Sequence, residues 1–255
     1  MITENAELLS QIRGRFAHVD ACPEAGARIF FENAGGALTL NSVVETSRYF
    51  AAIPDNPGRD NEMGREQTRL IQQSKADMRV FFNAPEGDIF VGESGTELIF
   101  RLIMNAVLGS EPGGTVLGST LEHPATRSAC TRWAKVAQKP YVQVPHDDAT
   151  GTITPDHFQP YLTADIRVAT ILHTSPVTGM SVDVAGVAAA IRAVAPEAFI
   201  IVDGIQHASH GHIDIASYGV DGYVISPYKV FSRHGYGVAW TSPRLNALPH
   251  DALVG

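Results

Sequence analysis

A chain of 255 residues, 44% of them hydrophobic, carries enough apolar material for one large domain with a full core, or for two small ones. Nineteen Lys and Arg stand against 27 Asp and Glu, a formal net charge of −8, and the basic residues are scattered, which argues against a nucleic-acid surface. No apolar run has the length of a bilayer span, no basic-then-apolar leader opens at Met1-Ile2-Thr3-Glu4-Asn5, and Cys22 and Cys130 are too few for a disulfide framework. The expectation is a soluble, cytoplasmic protein with no membrane or nucleic-acid partner.

Residues 1–20 read as a leading amphipathic helix with Leu8, Leu9, Ile12 and Phe16 on one side. Arg28-Ile29-Phe30-Phe31 reads as a first short strand, closed by Asn33-Ala34-Gly35-Gly36. From Thr96 to Leu108 the apolar residues Ile99, Leu102, Ile103, Ala106 and Val107 recur at helical spacing. A strand is predicted at Gly114–Gly118, a helix at Pro124–Val136, and a buried strand at Arg167–Leu172. Val184, Val187, Ala188, Ile191 and Val194 form the next helical face, with Pro196 just beyond it. Strands at Ala198–Val202, Gly222–Ile225 and Gly237–Trp240 follow. Strands alternating with helices predict an α/β fold, a mostly parallel sheet with helices on both faces.

Ligands of open parallel sheets bind off the carboxyl ends of the strands, so the polar residues that follow each strand are the informative ones. They are Glu122 and His123; His173, Thr174 and Ser175; Asp203, Gln206 and His207; and Ser226, Tyr228 and Lys229. Gly92-Glu93-Ser94-Gly95-Thr96-Glu97 follows Phe90-Val91 and opens the cleanest helix. Gly95 and Thr96 at a helix N-terminus suit an anion, although Ser-Gly-Thr-Glu is equally good as a plain cap. Asp203 could simply cap the next turn, and a lysine at position 229 alone would read as a surface residue.

Together these segments resemble the fold-type-I pyridoxal-5′-phosphate (PLP) enzymes of the class V aminotransferase and cysteine desulfurase superfamily. Asn33-Ala34-Gly35-Gly36 resembles that family's substrate-side loop, and Ser94-Gly95-Thr96-Glu97 its phosphate loop. Glu122-His123, Asp203-Gly204-Ile205-Gln206 and Ser226-Pro227-Tyr228-Lys229 resemble its Glu-His, Asp-x-x-Gln and Ser-x-His-Lys motifs, with Tyr228 where histidine is usual. The resemblance implies a PLP-dependent transferase or lyase acting on an amino acid through a Schiff base on Lys229, with transamination, desulfuration, elimination and racemisation all open. It implies catalytic roles for Lys229, Asp203 and His123, with His123 against the cofactor ring and Asp203 on the ring nitrogen. It further implies cofactor contacts from Gly95, Thr96, Gln206, Ser226 and Tyr228, a substrate-side Asn33, no metal, and a homodimer.

The segmentation that follows is an N-terminal helical segment, 1–27, and a PLP-binding large domain, 28–255. Members of that family continue into a small C-terminal domain with a substrate-carboxylate arginine. The expectation is therefore that this domain is absent here, and that the chain binds PLP but turns over amino acids poorly. Arg233 and Arg244 are the arginines that follow Lys229, and neither reads as a substitute. Two rival readings remain: a zinc-dependent hydrolase using Asp203, His207, His210 and His212, and a cofactor-binding but catalytically incomplete domain.

Overall fold

A computed structural model describes residues 5–248. These form two compact units, one of residues 5–74 together with Pro227–Gly235, the other of 75–226 together with 236–248. The smaller unit opens with α1 (Ala6–Arg13), whose N-cap Asn5 accepts from Leu8 N at 2.9 Å. This helix is shorter than the leading helix expected over 1–20, and Phe16 lies beyond it in an isolated bridge to Leu40. The expected strand at Arg28–Phe31 is not formed. Instead a two-residue hairpin pairs β1 (Ala21–Cys22) with β2 (Gly26–Ala27), and Ile29 and Phe31 are exposed. Those two apolar residues have strand-forming side chains but no sheet to pair with, and burial against neighbours is most of what β-propensity measures. Helices α2 (Asn41–Ala51) and α3 (Glu62–Phe82) complete the N-terminal part, with α3 running on into the second unit.

The larger unit is built on seven strands: β3 (Asp88–Gly92), β4 (Thr115–Ser119), β5 (Tyr141–Val144), β6 (Ile166–Leu172), β7 (Phe199–Asp203), β8 (Gly222–Ile225) and β9 (Gly237–Thr241). Their order is β3-β9-β8-β7-β6-β4-β5. Strands β4 to β8 are mutually parallel where they pair, and β9 runs antiparallel to both β8 and β3. Because two reversals restore direction, β3 points the same way as β8, and its carboxyl end joins theirs on one rim. Every residue of β7, β8 and β9 is buried, which requires cover on both faces.

That cover comes from helices whose signals are plain in the sequence. Helix α4 (Gly95–Gly109) starts at Ser94, whose Oγ accepts from Glu97 N at 3.1 Å, and buries Leu98, Ile99, Leu102, Ile103, Ala106 and Val107. Helix α5 (Pro124–Val136) has proline in its first turn and buries Ala129, Cys130 and Ala134 in the same cluster as Val116, Val168 and Ile201. Short α6 (Pro155–Phe158) precedes α7 (Val184–Val194), which is capped by Asp183 accepting from Gly186 N at 2.9 Å and ends just before Pro196. Short helices α8 (Ile215–Tyr218) and α9 (Pro243–Asn246) follow. Strand β5, missing from the sequence reading, lies at the sheet edge and is only partly buried, so its apolar signal is weak.

The end of the sheet opposite the rim is tied by Asp221, buried just before β8. It accepts from Arg192 Nη2 at 2.6 Å, Arg244 Nε at 3.1 Å, Ser242 Oγ at 3.0 Å and Ile200 N at 2.9 Å. Arg244 also donates to Ala198 O at 2.6 Å and lies over the Phe199 ring at 4.5 Å, so its guanidinium is committed to structure. Removing a carboxylate on which two guanidinium groups converge leaves Arg192 without its ion-pair partner and Arg244 with exposed Glu197 in place of a buried one. Asp221→Ala should lose roughly 3 kcal/mol of stability, the low end for breaking a buried pair because both arginines reach water. Urea unfolding measures this, and a loss under about 1 kcal/mol, the scale of a surface pair, would contradict it.

Candidate active site

Five segments deliver polar groups to the rim formed by the carboxyl ends of the strands. The turn after β3 brings Ser94, Gly95 and Thr96 to the N-terminus of α4; Gly95 is buried and Thr96 exposed. A Cβ on Gly95 would lie 2.3 Å from Ser226 Oγ and 2.6 Å from Ile205 Cδ1, and one on Gly237 would lie 2.5 Å from Gly95 N. The helix start, the end of β8 and the start of β9 therefore converge too closely for any side chain. What is left is backbone N–H groups at the positive end of a helix beside the Ser226 hydroxyl, a donor set suited to a phosphate.

Asp203 ends β7 at 2% exposure. Its Oδ2 accepts from Thr126 Oγ1 at 3.0 Å and its Oδ1 from Ile205 N at 3.1 Å. Thr126 sits in the first turn of α5, so the helix that begins at His123 also fixes the carboxylate. His123 is the N-cap of that helix, with Nδ1 accepting from Ala125 N at 3.2 Å, and its ring is exposed. Gln206 is buried, its Nε2 3.0 Å from His210 Nε2. Near Asp203, Glu122 is buried and accepts from Thr170 Oγ1 at 3.3 Å. Burial first, and the Asp203 charge second, push its carboxyl up to about 8, so it is protonated at neutral pH.

Sequence reasoning noted His173, Thr174 and His207 as strand-end residues but missed what they build. The His173 and His207 rings stack at 3.4 Å and 8°. Tyr223 Oη shares a 2.6 Å hydrogen bond with His173 Nδ1. His207 donates from Nε2 to His212 O at 3.2 Å, and its Nδ1 accepts from Thr174 Oγ1 at 2.9 Å. A signal was present in the glycines. A Cβ on Gly204, inside Asp203-Gly204-Ile205-Gln206, would meet the Tyr223 ring at 2.1 Å, and one on Gly211 the His207 ring at 2.5 Å. Two stacked imidazoles must both stay neutral, and burial holds His173 down at about 3 and lowers His207.

The zinc reading finds no support in this geometry. Both ring nitrogens of His207 are spent on hydrogen bonds, His210 is turned to Gln206, and no group of three or more His, Cys, Asp or Glu among the described residues could hold a metal ion.

Lys229, Tyr228 and Asn33 belong to the smaller unit. Lys229 closes a 3-10 turn, Pro227–Lys229, that follows Ser226 directly, and it is buried at 7% exposure. A lysine buried to that degree is uncommon, and the surface reading that a lone lysine invites does not hold. Tyr228 is half-buried, its ring stacked on His234 at 4.3 Å, and Asn33 lies in an exposed turn.

Opposite pH dependences follow. Unfolded, His173 titrates near 6.5 and, folded, near 3, so the unfolded chain binds the extra proton between those values and stability falls as pH drops from 6.5. Glu122 is 4.5 unfolded and about 8 folded, so the folded chain holds the extra proton and stability falls as pH rises from 4.5 through 8. Glu122→Gln should therefore be more stable than the parent above pH 8, with the acid-side loss unchanged. Urea unfolding across pH reads both, and an unaltered alkaline slope in the variant would refute the assignment.

Comparison with known proteins shows the family and the fold. The family model for aminotransferase class-V matches residues 29–255. A nonribosomal peptide synthetase-like enzyme, fsqF, of Aspergillus fumigatus is 31% identical over 80% of this chain and 14% of its own length. A probable cysteine desulfurase of Mycoplasma genitalium is 26% identical over 86% of this chain and 54% of its own. Among solved structures, the cysteine desulfurase CsdA of Escherichia coli superposes with a TM-score of 0.77 at 23% identity, covering 92% of this chain and 58% of that one. SspA in complex with cysteine gives a TM-score of 0.75 at 16% identity, covering 88% of this chain and 74% of that one. The chain thus spans about half the length of the desulfurase relatives it matches. With the family model covering nearly the whole sequence, this chain belongs to the aminotransferase class-V family.

Proposed function

We propose that the chain is the cofactor-binding part of a PLP-dependent enzyme acting on an amino acid, with Lys229 as the residue that carries the cofactor. The observation that carries this reading is the pairing on one rim of a buried, doubly hydrogen-bonded carboxylate, Asp203, with a side-chain-free helix start at Gly95. A site for a planar cationic ring bearing a phosphate needs those two things. Family membership and a buried Lys229 at the next strand end support it.

The residues present fit the group. Gly95, Thr96 and Ser226 would hold the phosphate through backbone and hydroxyl donors, with Tyr228 adding a contact from the lysine turn. Asp203 would receive the ring N–H, Gln206 would reach the phenolic oxygen, and His123, exposed at the head of α5, would lie on the ring face. When bound, PLP supplies an aldehyde for covalent capture and a ring that accepts electron density from the substrate α-carbon. The Lys229 amine would attach the cofactor and would hold and return the proton at that carbon. Asp203 would keep the proton on the ring nitrogen, and the Thr126 hydroxyl and Ile205 N–H hold its carboxylate oriented. Asn33 would face the substrate. The names of the desulfurase relatives and the cysteine bound to SspA make cysteine the first substrate to test.

Two experiments test this. Borohydride reduction with added PLP, followed by peptide mapping, should place the pyridoxyl label on the Lys229 peptide; a label on Lys75, Lys135 or Lys139 would refute the assignment. Asp203→Asn should lower kcat by at least about tenfold, since one lost charge-assisted contact is worth roughly 1.5–3 kcal/mol, while cofactor capture changes far less. Equal losses in turnover and in capture would remove Asp203 from that role.

A further inference from the structure

The turn that carries Lys229 is braced from the N-terminal part of its own unit. Inside the turn, Val230 N and Ser232 N both donate to Pro227 O, at 2.8 and 3.1 Å. The carbonyls on either side of the lysine are met from elsewhere: Ala37 N donates to Tyr228 O at 2.9 Å, and Leu40 N to Phe231 O at 3.1 Å. Thr39 Oγ1 donates to Ser232 O at 3.3 Å.

The donors stand on a short antiparallel ribbon. Ala17 N donates to Thr39 O at 3.1 Å, Asn41 N to Arg15 O at 2.8 Å, and Phe16 bridges Leu40 between them. From that ribbon the Phe16 ring meets the Phe231 ring edge to face, 5.3 Å between centroids. Phe231 itself has φ +62°, a left-handed conformation unfavourable for a residue with a Cβ, which persists only where its surroundings over-determine it. The Phe16 ring and the Leu40 donor are those surroundings.

We propose that this ribbon is a positioning device for Lys229, in which Phe16, Ala37 and Leu40 hold the turn in the one conformation that presents the amine. The inference rests on reading Lys229 as the reactive lysine. Its logic is that a flexible four-carbon side chain is oriented chiefly by its backbone, and a reacting group held in place is worth far more than one that must find its place. Phe16, Ala37 and Leu40 act through the turn and touch no reacting atom.

The test labels the 255-residue protein, without cofactor, with an amine-selective reagent and compares Lys229 with exposed Lys135 by peptide mass spectrometry. Phe16→Ala should raise the Lys229 rate roughly two- to tenfold, the range that an edge-to-face ring pair commands, and weaken PLP capture by a similar factor. Phe16→Tyr, which keeps the ring, should behave as the parent. Ala37→Pro removes the donor to Tyr228 O and should act like Phe16→Ala, whereas Ala37→Gly keeps the donor and should not. Amide exchange should quicken over 227–235 and stay slow over β6 to β8. Unchanged Lys229 labelling in both Phe16→Ala and Ala37→Pro would overturn the proposal, as would loosening spread evenly over 75–226. Because labelling needs no cofactor, a parent protein that takes up no PLP would count against the function of Lys229 and leave the labelling to decide the ribbon.

Discussion

A carboxylate taken out of water has to be met by donors, and the rim of this protein is arranged around that requirement at Asp203. The strand that ends there is wholly buried, and Thr126 and Ile205 N donate to its carboxylate. Thr126 can do so because α5 starts at Pro124 and turns its first residues toward β7. Ile205 N can do so because Gly204 lets the chain turn against the Tyr223 ring. Burial first, and the neighbouring Asp203 second, raise the Glu122 carboxyl to about 8, so it holds its proton at neutral pH. The raised Glu122 carboxyl follows from burial beside that carboxylate, and the lowered histidines of the stack follow from their own burial.

The mostly parallel order supplies the rest. Strands β4, β6, β7 and β8 end on the same side, and the reversal at β9 lets β3 end there too. Without β9 antiparallel between β8 and β3, the start of α4 would not meet Ser226 and Gly237. The close approach that forbids a side chain at Gly95 is thus a property of the sheet order, expressed at one residue.

Much of this was legible in the amino-acid sequence because it depends on local signals. Helix α5 begins at the proline expected to begin it, the α4 stripe is buried residue for residue, and the strands at Ile166–Leu172, Phe199–Asp203 and Gly222–Ile225 lie within one residue of their predicted bounds. What could not be read depends on contacts distant in sequence. Ile29 and Phe31 have the composition of a strand, yet pairing decides and none is available. The stack of His173 on His207 joins residues 34 positions apart, and its only mark in the sequence is small residues at Gly204 and Gly211. The bracing of the lysine turn by Phe16 and Leu40 spans nearly the whole chain and leaves no local signature.

The central proposal is that Lys229 carries the cofactor. The visible absorption spectrum of the purified chain during titration with PLP tests it most directly. The account predicts a saturable band, distinct from free cofactor, that borohydride abolishes and that Lys229→Ala does not develop. A parent chain with no such band, or a Lys229→Ala chain with the same band, would contradict it.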